Sequence, residues 1–177
     1  MLKIIAMVVV AIVIAVLVTA ALMPNTFRVE RSALIQAPPQ RIFEQINDFQ
    51  RWRAWSPYEK LDPAMTRQID GAAQGVGATY RWDGNDKAGA GRMEIVQATP
   101  GSNVTIQLDF SRPMEAHNIA EFTLVPEGDA TRVTWSMHGP QPYLGKLFGL
   151  VFNLDRMIGK DFEEGLQNLK RLTEVRP

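Results

Sequence analysis

An unbroken apolar run at the N-terminus constrains this 177-residue chain more than any other feature. Ile4 to Met23 are 20 consecutive residues whose only hydroxyl belongs to Thr19. A helix of this length rises about 30 Å, which matches the hydrocarbon core of a bilayer. A helix without a polar face is not typical of a soluble domain. We therefore predict a transmembrane anchor over residues 1–24 and a single domain over residues 25–177.

A cleaved signal peptide is the alternative for the same run, since Thr19 and Ala21 are small enough to flank a cleavage site. The apolar core of a signal peptide usually has about 7–15 residues, so the longer run favours an uncleaved anchor. The orientation depends on few charges. Arg28 and Arg31 after the run favour a cytoplasmic domain, whereas a very short, positively charged N-terminal tail is typical of anchors that export the domain. We predict a domain on the outer, extracytoplasmic side of the membrane.

Composition excludes several classes of function. The whole chain has 19 basic and 19 acidic side chains and Lys3 is the single charge before residue 24, so residues 24–177 carry 18 basic and 19 acidic groups. A near-neutral domain lacks the basic footprint of a nucleic-acid binder. The absence of cysteine excludes disulfides, thiolate metal sites and a cysteine nucleophile. His117 and His138 do not have the spacing of a metal-binding pair. We predict no metal, no cofactor and no nucleic-acid partner.

The rest of the sequence changes from one strand through short helices to a long series of strands. Phe27 to Gln36 alternates like a strand, Pro39 suits the first turn of a short helix, and Asp48 is placed to cap a second helix, Phe49 to Trp55. An apolar stripe at helical spacing then follows from Tyr143 to Glu174. Between them the apolar period is two, and turn-forming residues separate six strands: Met65–Ile69, Val76–Trp82, Gly91–Ala98, Val104–Phe110, Glu115–Pro126 and Thr131–His138.

These elements predict an α+β fold. Short connections indicate a seven-stranded antiparallel sheet, which would curve around the long C-terminal helix, with two short helices after the first strand. A strongly curved sheet is not completely filled by one helix. We therefore expect a cavity between the sheet and the helix.

Several short segments, taken in order, carry a resemblance to a known family. They are Ala37-Pro38, Ile42-Phe43, Trp55-Ser56-Pro57, Gly75-Val76-Gly77-Ala78, Thr131-Arg132-Val133-Thr134-Trp135 and Asp161 to Lys170. The ordered set is similar to the helix-grip fold of the SRPBCC/START superfamily, in particular its polyketide cyclase/dehydrase-like branch. The resemblance implies a hydrophobic ligand cavity, but it implies no single reaction, because members include lipid carriers, cyclases, hormone receptors and co-chaperone-like modules. We therefore transfer no catalytic residue.

Strand alternation predicts which side chains face the cavity. The inward set is apolar and rich in aromatic rings, which suits an apolar ligand, although core packing is the alternative for each member. Asn118 lies on the same predicted face, and a buried amide needs a hydrogen-bond partner. Tyr80, Arg31 or a ligand carbonyl could supply that partner. The predicted ligand-binding side chains are those of Tyr80, Trp82, Met93, Ile95, Leu108, Phe110, Asn118, Ala120, Phe122, Trp135, Met137 and Phe152.

The preferred interpretation is membrane-anchored binding of a hydrophobic small molecule or lipid in this cavity. One alternative is an enzyme, a polyketide cyclase/dehydratase or hydrolase acting on an apolar carbonyl compound. Another is a co-chaperone-like module that binds proteins. The sequence has no specific catalytic motif such as Gly-x-Ser-x-Gly, which makes the enzyme the second choice. The apolar segment from Tyr143 to Phe152 is either buried under the sheet or a membrane-facing gate at the cavity mouth.

Overall fold

A computed structural model describes residues 1–151 and 153–174 of the chain. Helices stand at both ends, and two short 3-10 turns, Phe49–Ala54 and Pro57–Lys60, follow the second helix. The helices are α1 Leu2–Leu22, α2 Pro39–Ile46, α3 Tyr143–Val151 and α4 Leu154–Thr173. The strands are β1 Thr26–Ile35, β2 Thr66–Gly71, β3 Ala78–Asp83, β4 Ala90–Thr99, β5 Asn103–Arg112, β6 Ala116–Glu127 and β7 Ala130–Pro140.

The seven strands form one antiparallel sheet in the order β1-β7-β6-β5-β4-β3-β2. Strands β2 to β7 therefore follow each other as a meander, and β1 pairs with the last of them. The β4–β5 register shifts twice, between Ala90 and Gly91 and between Ile95 and Gln97. Such irregularities bend and twist a sheet. The predicted helix-grip fold, with a curved sheet and a long C-terminal helix, is confirmed.

Aromatic rings connect helix α4 to the sheet. The ring of Trp135 on β7 stacks on Phe162 of α4, with centroids 4.2 Å apart and planes 8° apart. The ring of Phe122 on β6 also stacks on Trp135, with the two centroids 4.8 Å apart. Gly165 leaves room for this contact, because a Cβ there would lie 2.6 Å from Cζ3 of Trp135. The helix can approach the sheet this closely only at a residue without a side chain.

The segment between α2 and β2 is held by hydrogen bonds within itself and to the end of α2. Asp48 accepts from the backbone N–H of Gln50 at 2.9 Å, as its predicted capping role requires. Trp52 and Trp55 then donate their indole N–H groups to the carbonyls of Ile46 and Gln45, at 2.9 and 3.1 Å. Burial of these two rings fixes the position of the next turn, Pro57–Lys60, on one side of the sheet.

Two predicted boundaries differ from the structure. Strand β3 begins at Ala78, because Gly75 and Gly77 have positive φ angles and form a turn that leaves Val76 58% exposed. The predicted C-terminal helical stretch is divided into α3 and α4. Asn153 starts α4 by accepting from the backbone N–H of Arg156 at 2.9 Å, so the helical stripe is interrupted there.

Helix α1 extends away from the sheet and contacts α3. Within the described residues, Lys3–Leu22 is the one helix long and apolar enough to cross a membrane by length and composition. The hydroxyl of Tyr143 donates to the carbonyl of Leu17 at 3.0 Å. Lys146 Nζ donates to the carbonyl of Met23 and to Oδ1 of Asn25, both at 2.7 Å. These contacts attach α3, and not the sheet, to the end of α1.

Candidate ligand cavity

A cavity of about 350 Å³ lies between the concave face of the sheet and helix α4. Strands β3 to β7 supply about half of its wall, because alternate residues of a strand point to the same face. Nine of the predicted side chains line it: Tyr80, Trp82, Met93, Leu108, Phe110, Asn118, Ala120, Trp135 and Met137. Their role in binding stays a prediction.

Two predicted residues lie elsewhere, and a third cannot be placed. Ile95 and Phe122 are fully buried in the packed core and do not line the cavity. Phe122 lies behind the stacked ring of Trp135, and Ile95 is opposite Ile106 on the neighbouring strand. Phe152 lies outside the described residues. Alternation places Ile95 and Phe122 on the correct face of the sheet, but it does not show where the empty space ends.

A second part of the wall comes from elements other than β3 to β7, and the sequence did not predict it. Phe27 of β1, Trp52 before the second 3-10 turn and Met65 before β2 belong to this part. The remaining contributors are Ser56, Tyr58, Glu59 and Leu61 around that turn, Ala88 between β3 and β4, and Ile158, Asp161 and Phe162 of α4. Ala116, the first residue of β6, also lines the cavity and was not predicted. Pro57 at the first position of the turn was the available signal, since proline favours a helical start.

Glu59 forms a buried polar cluster in this wall. Its carboxylate accepts from the hydroxyl of Tyr80 at 2.5 Å and from Nε of Arg67 at 2.7 Å. The Glu59 and Arg67 side chains are 9% and 15% exposed, so this ion pair is shielded from water. Burial, and next the hydrogen bond to Glu59, raise the pKa of Tyr80 above its ordinary value. Tyr80 therefore stays protonated and acts as a donor to Glu59.

Asn118 is buried in the wall without a hydrogen-bond partner. It is 6% exposed, and its amide makes no hydrogen bond to any residue in the described part of the chain. The two protein partners considered from the sequence are occupied elsewhere. Tyr80 donates to Glu59, and Arg31 donates to Asp155 at 3.0 Å and to Glu163 at 2.8 Å. Arg31 reaches α4 because β1 is an edge strand next to that helix.

Gly139 on β7 leaves space for this amide. A Cβ at that position would collide with Oδ1 of Asn118 and would lie 3.0 Å from the carbonyl of His117. Any residue larger than glycine at position 139 would therefore displace the Asn118 amide. Of the three partners predicted for Asn118, only a ligand carbonyl is not already engaged by another residue of the described chain.

Asp161 is another polar group of the wall without a partner among the described residues, in addition to Asn118 and the buried indole N–H of Trp135. It lies on α4 and makes neither a hydrogen bond nor an ion pair within the described residues. Burial, and next the charge of Glu164, raise the pKa of this carboxyl above its ordinary value. Burial also raises the pKa of the neighbouring Tyr58, with a further contribution from the charge of Asp161. The cavity thus combines apolar walls with an amide, a protonated phenol and carboxyl groups.

The histidines lie away from the cavity. Nδ1 of His117 is 2.7 Å from Oδ1 of Asp109, and both groups face the outer side of the sheet. Nδ1 of His138 is 3.9 Å from a carboxylate oxygen of Glu121. Among residues 1–151 and 153–174, no cluster of three or more histidine and carboxylate groups could hold a metal ion.

The chain can now be assigned to a class on the basis of its fold and cavity. A helix-grip domain with an apolar cavity of this kind matches the family described as polyketide cyclase / dehydrase and lipid transport, whose model covers residues 26–174. The chain belongs to this family. The predicted resemblance to the polyketide cyclase/dehydrase-like branch is confirmed. Family and fold together support a role in hydrophobic ligand binding or cyclisation.

Solved structures with the same fold have varied sequences. The di-domain ARO/CYC StfQ from the steffimycin biosynthetic pathway has a TM-score of 0.62 and 11% identity, over 84% of this chain and 51% of StfQ. Protein CV1439 from Chromobacterium violaceum has a TM-score of 0.59 and 17% identity, over 87% of this chain and 100% of that protein. The Aha1 protein of Colwellia psychrerythraea has a TM-score of 0.57 and 19% identity, over 84% and 97% of the two chains. At these identities the likeness concerns the fold alone.

The curated proteins contain no match to this sequence.

Proposed function

We propose that this protein binds a hydrophobic small molecule or lipid in the cavity while α1 anchors the domain of residues 25–177 to a membrane. The observation that carries the proposal is the cavity of about 350 Å³, which lies within the usual size range of small-molecule sites. Its wall is mostly aromatic and aliphatic. A ligand that buries about 300 Å² of apolar surface would gain about 7 kcal/mol before ordering costs.

The polar groups of the wall favour a ligand without negative charge. Glu59 and Asp161 contribute carboxyl groups, and no lysine or arginine of the described residues lines the cavity. Arg67 is already paired with Glu59. A buried anionic headgroup would therefore lack a counter-ion, which is costly in a low-dielectric site. We propose a neutral ligand with a carbonyl or hydroxyl group that bonds to Asn118.

The anchor is the second part of this proposal. Helix α1 supports it by length and composition, and its side chains are almost all exposed, as a lipid-facing helix requires. A cleaved signal sequence has the same length and composition, and the mass of the mature protein distinguishes it from an anchor. We propose that the domain faces the extracytoplasmic side, because Lys3, directly before the apolar run, favours a cytoplasmic location for that end of α1.

A second candidate is an enzyme that acts on an apolar carbonyl compound. Asp161 favours it, because a carboxyl group with a raised pKa can hold a proton near a bound carbonyl oxygen. In that case Asn118→Ala should abolish turnover and largely preserve binding. A carrier, in contrast, should show no turnover in either the wild type or the Asn118→Ala variant.

The test uses the full chain, purified and reconstituted in lipid nanodiscs. Small molecules are extracted from the protein and identified by mass spectrometry, and binding of a long-chain alcohol or ketone is compared with that of the carboxylic acid of equal length. We expect a retained neutral compound and weaker binding of the acid. Preferential binding of the acid would contradict the proposed ligand class.

A cavity-filling variant locates the binding site. Ala120 lines the cavity and Ala73 lies on an exposed turn. Ala120→Phe should reduce affinity at least about 10-fold, since a ring in the cavity removes contacts worth more than about 1.4 kcal/mol. Ala73→Phe is the matched control and should bind like the wild type. Equal affinity of the two variants would place the ligand outside this cavity.

A further inference from the structure

We propose that helix α3 is a second membrane-contact element, which lies in the lipid interface next to α1. The inference rests on the membrane anchor of the proposed function. It adds a surface whose partner is the bilayer itself. The contacts between α1 and α3, the exposure of apolar side chains on α3 and the distribution of its charges carry the argument.

The contact between the two helices sets the depth of α3. The hydroxyl of Tyr143, the first residue of α3, donates to the carbonyl of Leu17 at 3.0 Å. Leu17 is five residues before the end of α1 at Leu22, which corresponds to about 7.5 Å along the helix axis. An interfacial helix buries its apolar face by about 5–10 Å. If α1 spans the bilayer, the start of α3 is therefore held at this depth.

The charge of α3 is directed towards the end of α1. Lys146 is the one charged residue of α3 and is 4% exposed. Its ammonium group donates to the carbonyl of Met23 and to Asn25, at 2.7 Å each. A cation is favourable at the C-terminal end of a helix, where backbone carbonyls lack partners. Because Lys146 is used in this way, the remaining surface of α3 is free of charge.

That remaining surface is apolar and exposed. Leu144 is 76% exposed, and Phe148 and Leu150 are 47% and 41% exposed. Apolar groups concentrated beside a membrane-spanning helix, with no charged residue among them, fit lipid better than water. The patch is also continuous with the lipid-facing side chains of α1, which makes the bilayer its partner.

The position of α3 brings one end of the cavity close to the membrane. Phe27 lines the cavity and lies four residues after Met23, so an extended chain separates them by at most about 14 Å. Ile158, in the first turns of α4, lines the same cavity and follows α3 closely in the chain. A lipid that leaves the headgroup region near α3 thus has a short path to the cavity.

The test exploits the absence of cysteine in this chain. Single cysteines are introduced into the full chain by Leu144→Cys, Ile12→Cys and Val125→Cys and labelled with an environment-sensitive fluorophore. The variants are reconstituted into vesicles with doxyl-labelled lipids, which quench fluorophores at the depth of the doxyl group. All three positions are exposed in the structure, so labelling should leave the fold unchanged.

Ile12 is the control for deep contact with lipid, and Val125 is the control for no contact with lipid. Ile12 lies in the middle of α1 and reports on the anchor. Val125 is opposite Arg132, which pairs with Leu34, so it lies about 26 Å along the sheet from the strand end at Thr26. We expect loss of most fluorescence at Ile12 with deep doxyl groups and at Leu144 with doxyl groups near the headgroups. Val125 should keep its fluorescence.

The remaining outcomes overturn the proposal in distinguishable ways. Quenching at Ile12 with none at Leu144 would refute the membrane contact of α3 and leave the anchor intact. Absence of quenching at Ile12 would refute the anchor and with it the contact. A fluorophore at Leu144 that is shielded equally in detergent and vesicles, without quenching by lipid, would show that the patch is covered by protein, for example by a second copy of the chain.

Discussion

Asn118 and Asn168 are buried to a similar degree but differ in hydrogen bonding. Asn168 is 8% exposed and donates to the carbonyl of Trp55 at 2.9 Å, while Arg171 donates to its amide oxygen. Asn118 is 6% exposed and has no partner among the described residues. The Asn118 side chain borders the cavity, so under the proposed function its hydrogen-bond partner is a group of the ligand.

The two asparagines therefore respond differently to replacement by leucine. Asn168→Leu should lower the free energy of unfolding by about 1–3 kcal/mol, because it leaves the Trp55 carbonyl without its donor. Asn118→Leu should leave the unfolding free energy of the empty protein unchanged or raise it slightly. It should weaken ligand binding about 10-fold, the loss of one hydrogen bond. Urea unfolding and ligand titration of both variants check this pair, and equal destabilisation would show that Asn118 has a structural partner.

The buried phenols predict a pH dependence. The pKa values of Tyr80 and Tyr58 are raised, chiefly by burial, so the folded state holds these protons more tightly than the unfolded chain does. Their contribution to stability is complete below the unfolded value of about 10 and is lost as the pH rises above it. The double variant Tyr58→Phe with Tyr80→Phe should lose less stability between pH 9 and pH 11 than the wild type. Parallel pH profiles in urea unfolding would contradict the assignment.

At the scale of the elements, the contact of α4 with β7 depends on close packing at one glycine. Trp135 lies over Gly165, where a Cβ would be 2.6 Å from Cζ3 of the ring and 3.1 Å from Cδ of Pro57. Gly145 in α3 is different, because a Cβ there meets its nearest neighbours at an ordinary 3.6 Å. A substitution at Gly165 therefore tests packing against the sheet, whereas a substitution at Gly145 tests helix propensity.

Alanine substitutions make this difference measurable. Gly165→Ala should destabilise the domain by about 1–3 kcal/mol, since the tryptophan ring is held by Phe162 and Phe122 and cannot move freely. Gly145→Ala should be neutral or stabilise α3 by up to about 1 kcal/mol, the difference in helix propensity between the two residues. Thermal unfolding of both variants checks the prediction. A stable Gly165→Ala protein would mean that the sheet and α4 can separate without cost.

At the scale of the whole molecule, one polar bridge connects the apolar helix to the domain. Tyr143 of α3 donates to a backbone carbonyl of α1, and Lys146 donates to Met23 and Asn25, which lie between α1 and the sheet. The cavity end lined by Phe27 is next to this bridge. The domain would therefore be held close to the bilayer, and not at the end of a flexible linker.

An intact N-terminus is the prediction at this scale. The protein isolated from cell membranes should keep residues 1–23, resist alkaline extraction and have the 19.8 kDa mass of residues 1–177. Deletion of residues 1–23 should release the domain into the soluble fraction with its ligand-binding affinity unchanged. Intact-protein mass spectrometry distinguishes the alternatives. A mature chain that begins near residue 22 would identify the run as a cleaved signal peptide.

The sequence by itself determined which face each strand presents and where most elements begin. The period-two pattern of β5 to β7 placed Leu108, Asn118 and Trp135 on one face, because a strand has only two faces. Asp48 and Pro39 marked the starts of short helical segments, because their side chains fit the first turn of a helix. The order of elements, together with the resemblance, was sufficient to predict the helix-grip fold.

Only the tertiary structure decided which buried positions border empty space and which polar groups meet. Ile95 and Phe122 share the inward face with the lining residues, yet the packing of neighbouring rings places them in the core. Glu59 reaches Tyr80 across 21 positions of sequence, and Asp161 reaches the cavity from α4. Periodicity reports the direction of a side chain. It does not report what lies opposite, because that depends on the curvature of the sheet and on where a distant helix crosses it.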